Sequence, residues 1–411
     1  MMDTALLSST PDLLRRTPAH RPGRRQAVGW LVGSGLAGLI SPASQAQTPP
    51  TTGKPVLCVD EWPAWSLFRT NFVAADGRVV DPDTPRAQTV SEAQAYGLFF
   101  ALVANDRPSF ESILKWTENN LAGGDLTARL PAWIWGRRDD GNWGVVDANP
   151  ASDADLWIVY ALAEAGRLWG DKRLSALSRV IAERMLRESI VNLPGLGPTL
   201  LPGPKGFQLA DDRWRLNPSY FPMHLLRWLS TYQPHPSWGK VAASARKIIL
   251  SAVPKGFAPD WVAYQAGVGF QVDEGKGDIG GYDAIRVYLW AGMMHPGDPL
   301  SRTLLDALAP MAKRVAKDGF PPETIHILTG EGMQAAPSGF SAAMLPFLQA
   351  RGDKAALQAQ LSRLQAKPIR PKVYYEQALN LFGMGWHEGY FKLAADGRLQ
   401  PKWRTPCPRM S

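Results

Sequence analysis

Residues 282–294, Tyr-Asp-Ala-Ile-Arg-Val-Tyr-Leu-Trp-Ala-Gly-Met-Met, are apolar on nearly every side of a helix. A helix without a polar face has to be enclosed by other elements. Segments 91–104 and 153–169 read the same way. Between them lie helices of another kind. Segment 172–188 carries Leu174, Leu177, Ile181 and Met185 on one stripe, with Lys172, Arg173, Arg179, Glu183 and Arg184 around the rest. That pattern puts one face on a core and the other in water. The periodicity predicts helices near 62–72, 91–104, 109–121, 153–169, 172–188, 217–232, 237–251, 282–294, 299–316, 338–349, 354–365 and 373–384. Enclosed helices alternating with amphipathic ones suit a double ring, so the expected fold is all-α: an (α/α)6 barrel of about twelve helices, inner ring buried, outer ring amphipathic. No fixed-period repeat argues for a solenoid. No alternating run is long enough for a major sheet, and 76–90 and 192–216 read as loop or short strand.

The amino terminus reads as an export signal and is set apart from the fold. Arg24-Arg25 precede a Gly-rich, weakly apolar stretch from Ala27 to Ile40, and Ser44-Gln45-Ala46 gives a small-x-small cleavage pattern. Adjacent arginines point to the twin-arginine route, with an ordinary secretory signal as the other reading. The expected organisation is a signal over 1–46, a Pro-rich spacer and arm over 47–60, and one helical domain over 61–411. The mature chain has no stretch long and apolar enough to span a bilayer, so a periplasmic or secreted location follows. Cys58 and Cys407 stand near opposite ends of the mature chain. An oxidising compartment permits a disulfide between them if the ends meet.

The formal net charge is +8, and five Arg against two Asp fall in the first 46 residues. No Lys/Arg run is interleaved with aromatics, so nucleic acid is not an expected partner. The 16 Trp are more than a core asks for. Trp133, Trp135 and Trp143 cluster in Trp-Ile-Trp-Gly-Arg-Arg-Asp-Asp-Gly-Asn-Trp-Gly, a polar, Gly-rich segment. Indole rings stack on pyranose faces, and the neighbouring Arg, Asp and Asn suit hydroxyl groups. A neutral or weakly acidic polysaccharide is the expected ligand.

Acidic residues stand at the starts of the three enclosed helices. Glu92 follows Ser91, which with Gln94 has the spacing of a capping box. A carboxyl among Tyr96, Leu98, Phe99 and Phe100 is also the kind that stays protonated as a general acid. Asp153 and Asp155 enter the next enclosed helix together, again with a capping-box partner in Ser152. Burying two charges there implies a polar cavity. Asp283 lies three residues before Arg286, and an adjacent guanidinium favours the ionised form that a general base requires. The preceding loop, Gly275-Lys-Gly-Asp-Ile-Gly-Gly, reads as flexible enough to admit a bulky chain.

Taken together these segments resemble glycoside hydrolase family 8, and within it the endo-β-1,4-glucanases (cellulases) encoded with bacterial cellulose synthase. The resemblance runs from about Trp62 to Tyr390. It is most specific at Ala151-Ser-Asp-Ala-Asp-Leu-Trp-Ile-Val-Tyr-Ala-Leu-Ala-Glu-Ala-Gly-Arg-Leu-Trp169, where Val159 replaces the usual Ala. Ala93 stands where relatives often have Gly. Asn217-Pro-Ser-Tyr220-Phe and Tyr282-Asp283-Ala-Ile-Arg286 also fit. The resemblance implies an (α/α)6 barrel with an open cleft, and hydrolysis of a β-1,4-glucan with inversion. It matches Glu92 to the proton donor, Asp283 to the general base, and Asp153 to an acid often labelled nucleophile. Inversion forms no covalent sugar intermediate, so Asp153 is read as binding and distorting the sugar. Tyr220 and Arg286 match residues that hold the base or its water, and Tyr282, Asp155, Trp133, Trp135 and Trp143 are expected to bind substrate. The mechanism calls for no metal or organic cofactor, and the cellulose synthase export machinery is the implied partner. Two other readings stay open: a glycan-binding accessory protein with incidental hydrolysis, and a family 8 enzyme acting on xylan, chitosan or mixed-linkage glucan.

Overall fold

The computed structural model describes residues 61–404 apart from 83, 85 and 86. The signal, the spacer and the Cys58–Cys407 pairing lie outside the described residues. The described residues form thirteen α-helices: α1 Pro63–Phe72, α2 Ser91–Val103, α3 Arg107–Leu121, α4 Ser152–Trp169, α5 Lys172–Glu188, α6 Met223–Tyr232, α7 Pro236–Ser251, α8 Ile285–Gly292, α9 Pro299–Ala307, α10 Ala309–Asp318, α11 Ser338–Arg351, α12 Lys354–Ala366 and α13 Tyr374–His387. Helices α2, α4, α6, α8, α11 and α13 follow one another around an inner ring. Phe100 of α2 meets Phe382 of α13 at 4.6 Å between ring centroids, which closes the circle. α1, α3, α5, α7, the α9–α10 pair and α12 lie outside. The expected (α/α)6 barrel is the observed fold.

Burial follows the two predicted helix types. α4 is buried along nearly its whole length, whereas α5 buries Leu174, Ser178, Ile181, Ala182 and Met185 on one stripe. The ring has no pore. Phe382 packs at 4.6–5.6 Å against Tyr96, Phe99, Phe100, Trp157 and Trp290, contributed by three other inner helices. Close approach elsewhere in the ring depends on missing side chains. A Cβ on Gly383 would lie 1.9 Å from the Ala342 carbonyl oxygen, and one on Gly292 would lie 2.2 Å from the Phe347 nitrogen.

The helix predictions differ from the structure at proline-rich or remotely capped places. Segment 299–316 is two helices, because Pro310 has no N–H to continue the ladder and the chain breaks at Leu308. Segment 217–232 opens as a 3-10 turn over Pro218–Tyr220, and α6 starts only after Pro222. Segment 282–294 shortens to α8, so Asp283 lies in the turn before the helix.

All six inner helices run the same way, because each inner helix returns through an outer one. Their amino termini meet at one end, where short strands gather. β1 (Thr89–Val90), β2 (Ile134–Arg137) and β3 (Trp143–Asp147) form one antiparallel sheet, and β4 (Ile190–Leu193) pairs with β5 (Gly197–Leu200). β6 (Gln208–Ala210), β7 (Arg213–Leu216), β8 (Val262–Gln265) and β9 (Gly269–Val272) form a second sheet. β10 (Ile279–Gly280), β11 (Pro322–His326) and β12 (Gly332–Ala335) form a third. The opposite end is covered by the hairpin of β13 (Phe391–Leu393) and β14 (Leu399–Pro401). There Leu399 N–H donates to Glu164 at 2.8 Å, and Tyr160 Oη donates to the Gly397 carbonyl at 2.9 Å.

Candidate active site

Glu92 is the second residue of α2, and Ser91 N–H donates to the Trp133 carbonyl at 2.8 Å. The end of the tryptophan-bearing segment therefore sits on the start of the helix. The capping box expected from Ser91 and Gln94 does not form. Gln94 is fully buried: its Oε1 accepts from Val79 N–H at 2.6 Å, and its Nε2 donates to Thr117 Oγ1 at 2.9 Å. The Ser91 hydroxyl instead donates to Glu92 Oε2 at 3.3 Å. Burial pushes the Glu92 carboxyl above the ordinary carboxylate range, with nearby Asp283 adding to the rise and Arg286 opposing it.

Asp153 and Asp155 both occupy the first turn of α4. Two positions apart on a helix, they point roughly 200° from each other. Asp153 faces Arg286, with 3.8 Å between carboxylate and guanidinium. Burial and the neighbouring Glu92 charge push its carboxyl well up. Asp155 is fully enclosed, and neither of its carboxyl oxygens has a hydrogen-bond partner among the described residues. It forms no capping box with Ser152, whose hydroxyl is likewise unpartnered. Burial, then the charge of Asp153, raises its carboxyl well above the usual range, which favours a neutral acid there. The side chain expected to touch substrate is thus enclosed in this structure, with no exposed surface.

Arg286 on α8 organises the site. One guanidinium nitrogen donates to Asp283 Oδ1 at 2.9 Å and to Ser219 Oγ at 2.9 Å, and another reaches Tyr375 Oη at 3.5 Å. The arginine is only 9% exposed, so solvent screens the ion pair little. Ser219 is aimed by the turn after β7. Its N–H and hydroxyl both donate to Asn217 Oδ1, at 3.0 and 2.8 Å, and its carbonyl accepts from Trp290 Nε1 at 3.1 Å. Tyr220 follows immediately and is 8% exposed. Burial, followed by Asp153 and Glu92, pushes its phenol well up. Glu92, Asp153, Asp283, Tyr220 and Arg286 thus converge at the amino-terminal end of the inner ring.

The remaining expected residues are Tyr282, Trp133, Trp143 and Trp135. Tyr282 is 45% exposed, and its hydroxyl donates to Glu323 at 2.6 Å. Trp133 and Trp143 are 37% and 51% exposed. Trp135 is taken up by packing: it meets Trp116 edge-on at 5.3 Å, stacks on Trp143 at 5.3 Å, and lies 4.4 Å from the Arg78 guanidinium. Trp135 and Trp143 sit on the two strands of a β-hairpin, and Trp133 immediately precedes it. The loop before Asp283 is anchored at its start. Asp273 makes a bidentate pair with Arg215 at 2.6 and 2.8 Å and accepts from Gly275 N–H at 2.9 Å.

Several residues of the site were missed in the sequence. Tyr375, at the start of α13, donates its hydroxyl to the Tyr282 carbonyl at 2.5 Å. Burial, which outweighs the opposing Arg286 charge, pushes its phenol up to about 12. Trp261 stacks on Phe207, with centroids 6.0 Å apart and 6° between planes. It lies 6.1 Å from Tyr220, with Lys276 Nζ 5.7 Å from its ring. Asp260 Oδ1 accepts from the N–H groups of Gly281, Asp283 and Ala284. An aromatic next to an acid in Pro259-Asp260-Trp261 was the available signal, but what it touches is remote in sequence.

The arrangement holds one carboxyl without a cationic hydrogen-bond partner and another bonded to a guanidinium, as acid–base chemistry requires. Comparisons with known proteins agree. A family model described as glycosyl hydrolases family 8 matches residues 57–389. The chain is 45% identical over 346 residues to an endoglucanase of Salmonella typhi, covering 84% of this chain and 92% of that one. It is 45% identical over 377 residues to an endoglucanase of Xanthomonas axonopodis pv. citri (strain 306), covering 91% and 96%. The crystal structure of endo-1,4-D-glucanase from Vibrio fischeri ES114 superposes with a TM-score of 0.78 at 42% identity, covering 84% of this chain and all of that one. From the acids at the barrel mouth to the length of these matches, every observation leads to one assignment: the chain is a glycoside hydrolase and belongs to glycosyl hydrolases family 8.

Proposed function

We propose that the chain is an endo-β-1,4-glucanase that hydrolyses cellulose-like glucan with inversion at the anomeric carbon. Protonated Glu92 gives its proton to the leaving glycosidic oxygen as the C1–O bond breaks. Asp283, hydrogen-bonded to Arg286, takes a proton from a water that attacks C1 from the opposite face, so one proton leaves Glu92 and one arrives on Asp283. Asp153 holds the sugar at the cleavage point in a distorted shape. Tyr220 and Arg286 keep the base and its water in place, while Trp133, Trp143 and Tyr282 line the approaches.

The observation that carries this reading is the unequal sharing of Arg286. Its guanidinium bonds Asp283 at 2.9 Å and stands 3.8 Å from Asp153, whereas the side-chain hydrogen bond to Glu92 comes from the Ser91 hydroxyl. The test is reducing-end release from carboxymethylcellulose, with the anomer of fresh product followed by proton NMR. The α-anomer is expected; β-anomer would reject inversion, and no release would reject the activity.

The organisation proposed is an export signal over 1–46, a spacer over 47–60 and a single catalytic domain over 61–411. The enzyme works in the periplasm or outside the cell, trimming cellulose during its synthesis beside the export machinery. Arg24-Arg25 with Ser44-Gln45-Ala46 supports export, and the resemblance to synthase-linked glucanases supports the biosynthetic role. Among the described residues no helix is long and apolar enough to cross a membrane. Fractionation of tagged full-length chain tests the location, and retention in the cytoplasm would reject it.

A further inference from the structure

We infer that Asp260 is the positioning residue of the general base: its carboxylate gathers the backbone of residues 281–284 and so aims Asp283 into the cleft. This rests on the assignment of Asp283 as base. Asp260 Oδ1 accepts three backbone N–H bonds, from Gly281 at 2.8 Å, Asp283 at 3.0 Å and Ala284 at 2.7 Å. Asp283 precedes α8, so no helical ladder holds its N–H, and the bond to Asp260 is the one that does. The residue at the amino-terminal cap of α8, Ala284, has no side chain able to cap it. A carboxylate from 24 positions earlier instead accepts the N–H of that cap residue itself. The three bonds are charge-assisted and converge on one atom, which makes the turn stiffer than an ordinary cap would.

Asp260 is itself held firmly enough to transmit position. Its N–H donates to the Ile279 carbonyl at 2.9 Å, and Ala258 N–H donates to Tyr288 Oη on α8 at 2.8 Å. From the other side Tyr375 Oη bonds the Tyr282 carbonyl at 2.5 Å. The turn carrying the base is therefore held by the carboxylate of Asp260, in the bend before β8, and by a phenol of α13. Arg286 acts on the carboxylate of Asp283, whereas Asp260 acts on its backbone.

Kinetics on a soluble oligosaccharide, with binding by calorimetry and thermal melting, test this. Asp260→Ala should lower kcat by about 10²-fold, the cost of a reacting group displaced by about 1 Å, with KM and binding within about threefold of wild type. Asp260→Asn, which keeps an oxygen at the same reach, should recover kcat to within about tenfold. A kcat for Asp260→Ala within threefold of wild type overturns the inference. So does a parallel loss of kcat and binding, or a failure of Asn to restore kcat, since either marks a merely structural residue. If Asp260→Ala does not fold, Asp260→Glu serves instead: it keeps the charge but shifts the acceptor, and undiminished kcat there is equally fatal. Asp283→Asn in the same series separates the two claims, because activity surviving that change removes the base assignment itself.

Discussion

Glu92 and Asp283 occupy comparable places, each at the amino-terminal end of an inner helix and facing the same cleft, yet they are prepared for opposite tasks. A helix amino terminus favours negative charge in both. What separates them is the company each keeps. Glu92 is bonded by a serine hydroxyl, and burial raises its carboxyl. Asp283 is 28% exposed at its side chain and bonded by a guanidinium. Helix position alone does not distinguish them; the groups packed beside each carboxyl do.

That contrast can be broken most severely at the acids themselves. Glu92→Gln and Asp283→Asn should each lower kcat by about 10²–10⁴-fold while leaving the melting temperature close to wild type. Near-normal turnover by either variant would remove its role. Asp153→Asn should lower kcat and weaken oligosaccharide binding together, measured by calorimetry. If Asp153→Asn loses turnover while Asp283→Asn keeps it, the base has been misassigned.

Arg286→Gln comes next, with a loss of about 10²-fold in kcat/KM. The basic limb of its pH profile, set by Glu92, should move to higher pH, because the guanidinium charge that opposes the rise of that carboxyl is gone. An unmoved limb would mean that the guanidinium positions without tuning charge.

Smaller effects test the aromatic walls. Trp261→Ala should raise KM about tenfold, the loss of one well-placed stacking surface at ~1.4 kcal/mol. Trp143→Ala, in a ring already stacked on Trp135, should raise it no more than about threefold. The reverse order would place the main sugar platform on the β2–β3 hairpin.

The last prediction concerns stability. The enclosed Asp155 carboxyl is raised in the fold, so its stabilising contribution is full below the unfolded carboxylate pKa and is lost as pH rises through the folded value. Asp155→Asn escapes that loss, and its melting temperature should gain on wild type between pH 4 and pH 8. A difference that is flat with pH would show that Asp155 stays ionised.

Much of this molecule was legible before folding because its decisive signals are local. Apolar periodicity marked the inner helices, and Glu92, Asp153 and Asp283 stood out as charges at the mouths of apolar segments. Asp283 and Arg286 are three positions apart and pair as their spacing predicts. The remainder is long-range. Asp260 reaches Asp283 across 23 positions, Ser219 reaches Arg286 across 67, and Tyr375 reaches Arg286 across 89, and no window of sequence brings these pairs together. Ser91-Gln94 and Ser152-Asp155 misled for the same reason. Each had capping spacing, but Gln94 was claimed by buried partners on other segments and Asp155 was enclosed without a hydrogen-bond partner among the described residues.

The aromatic stack inside the ring bears on how force is handled during a turnover. Trp290 joins that stack to the cleft directly, since its indole N–H holds the Ser219 carbonyl and the Ser219 hydroxyl meets Arg286. Packed rings of this kind compress very little. When a glucosyl unit is bent toward the flattened geometry of the reacting state, the floor beneath it does not sink, so the strain is returned to the sugar.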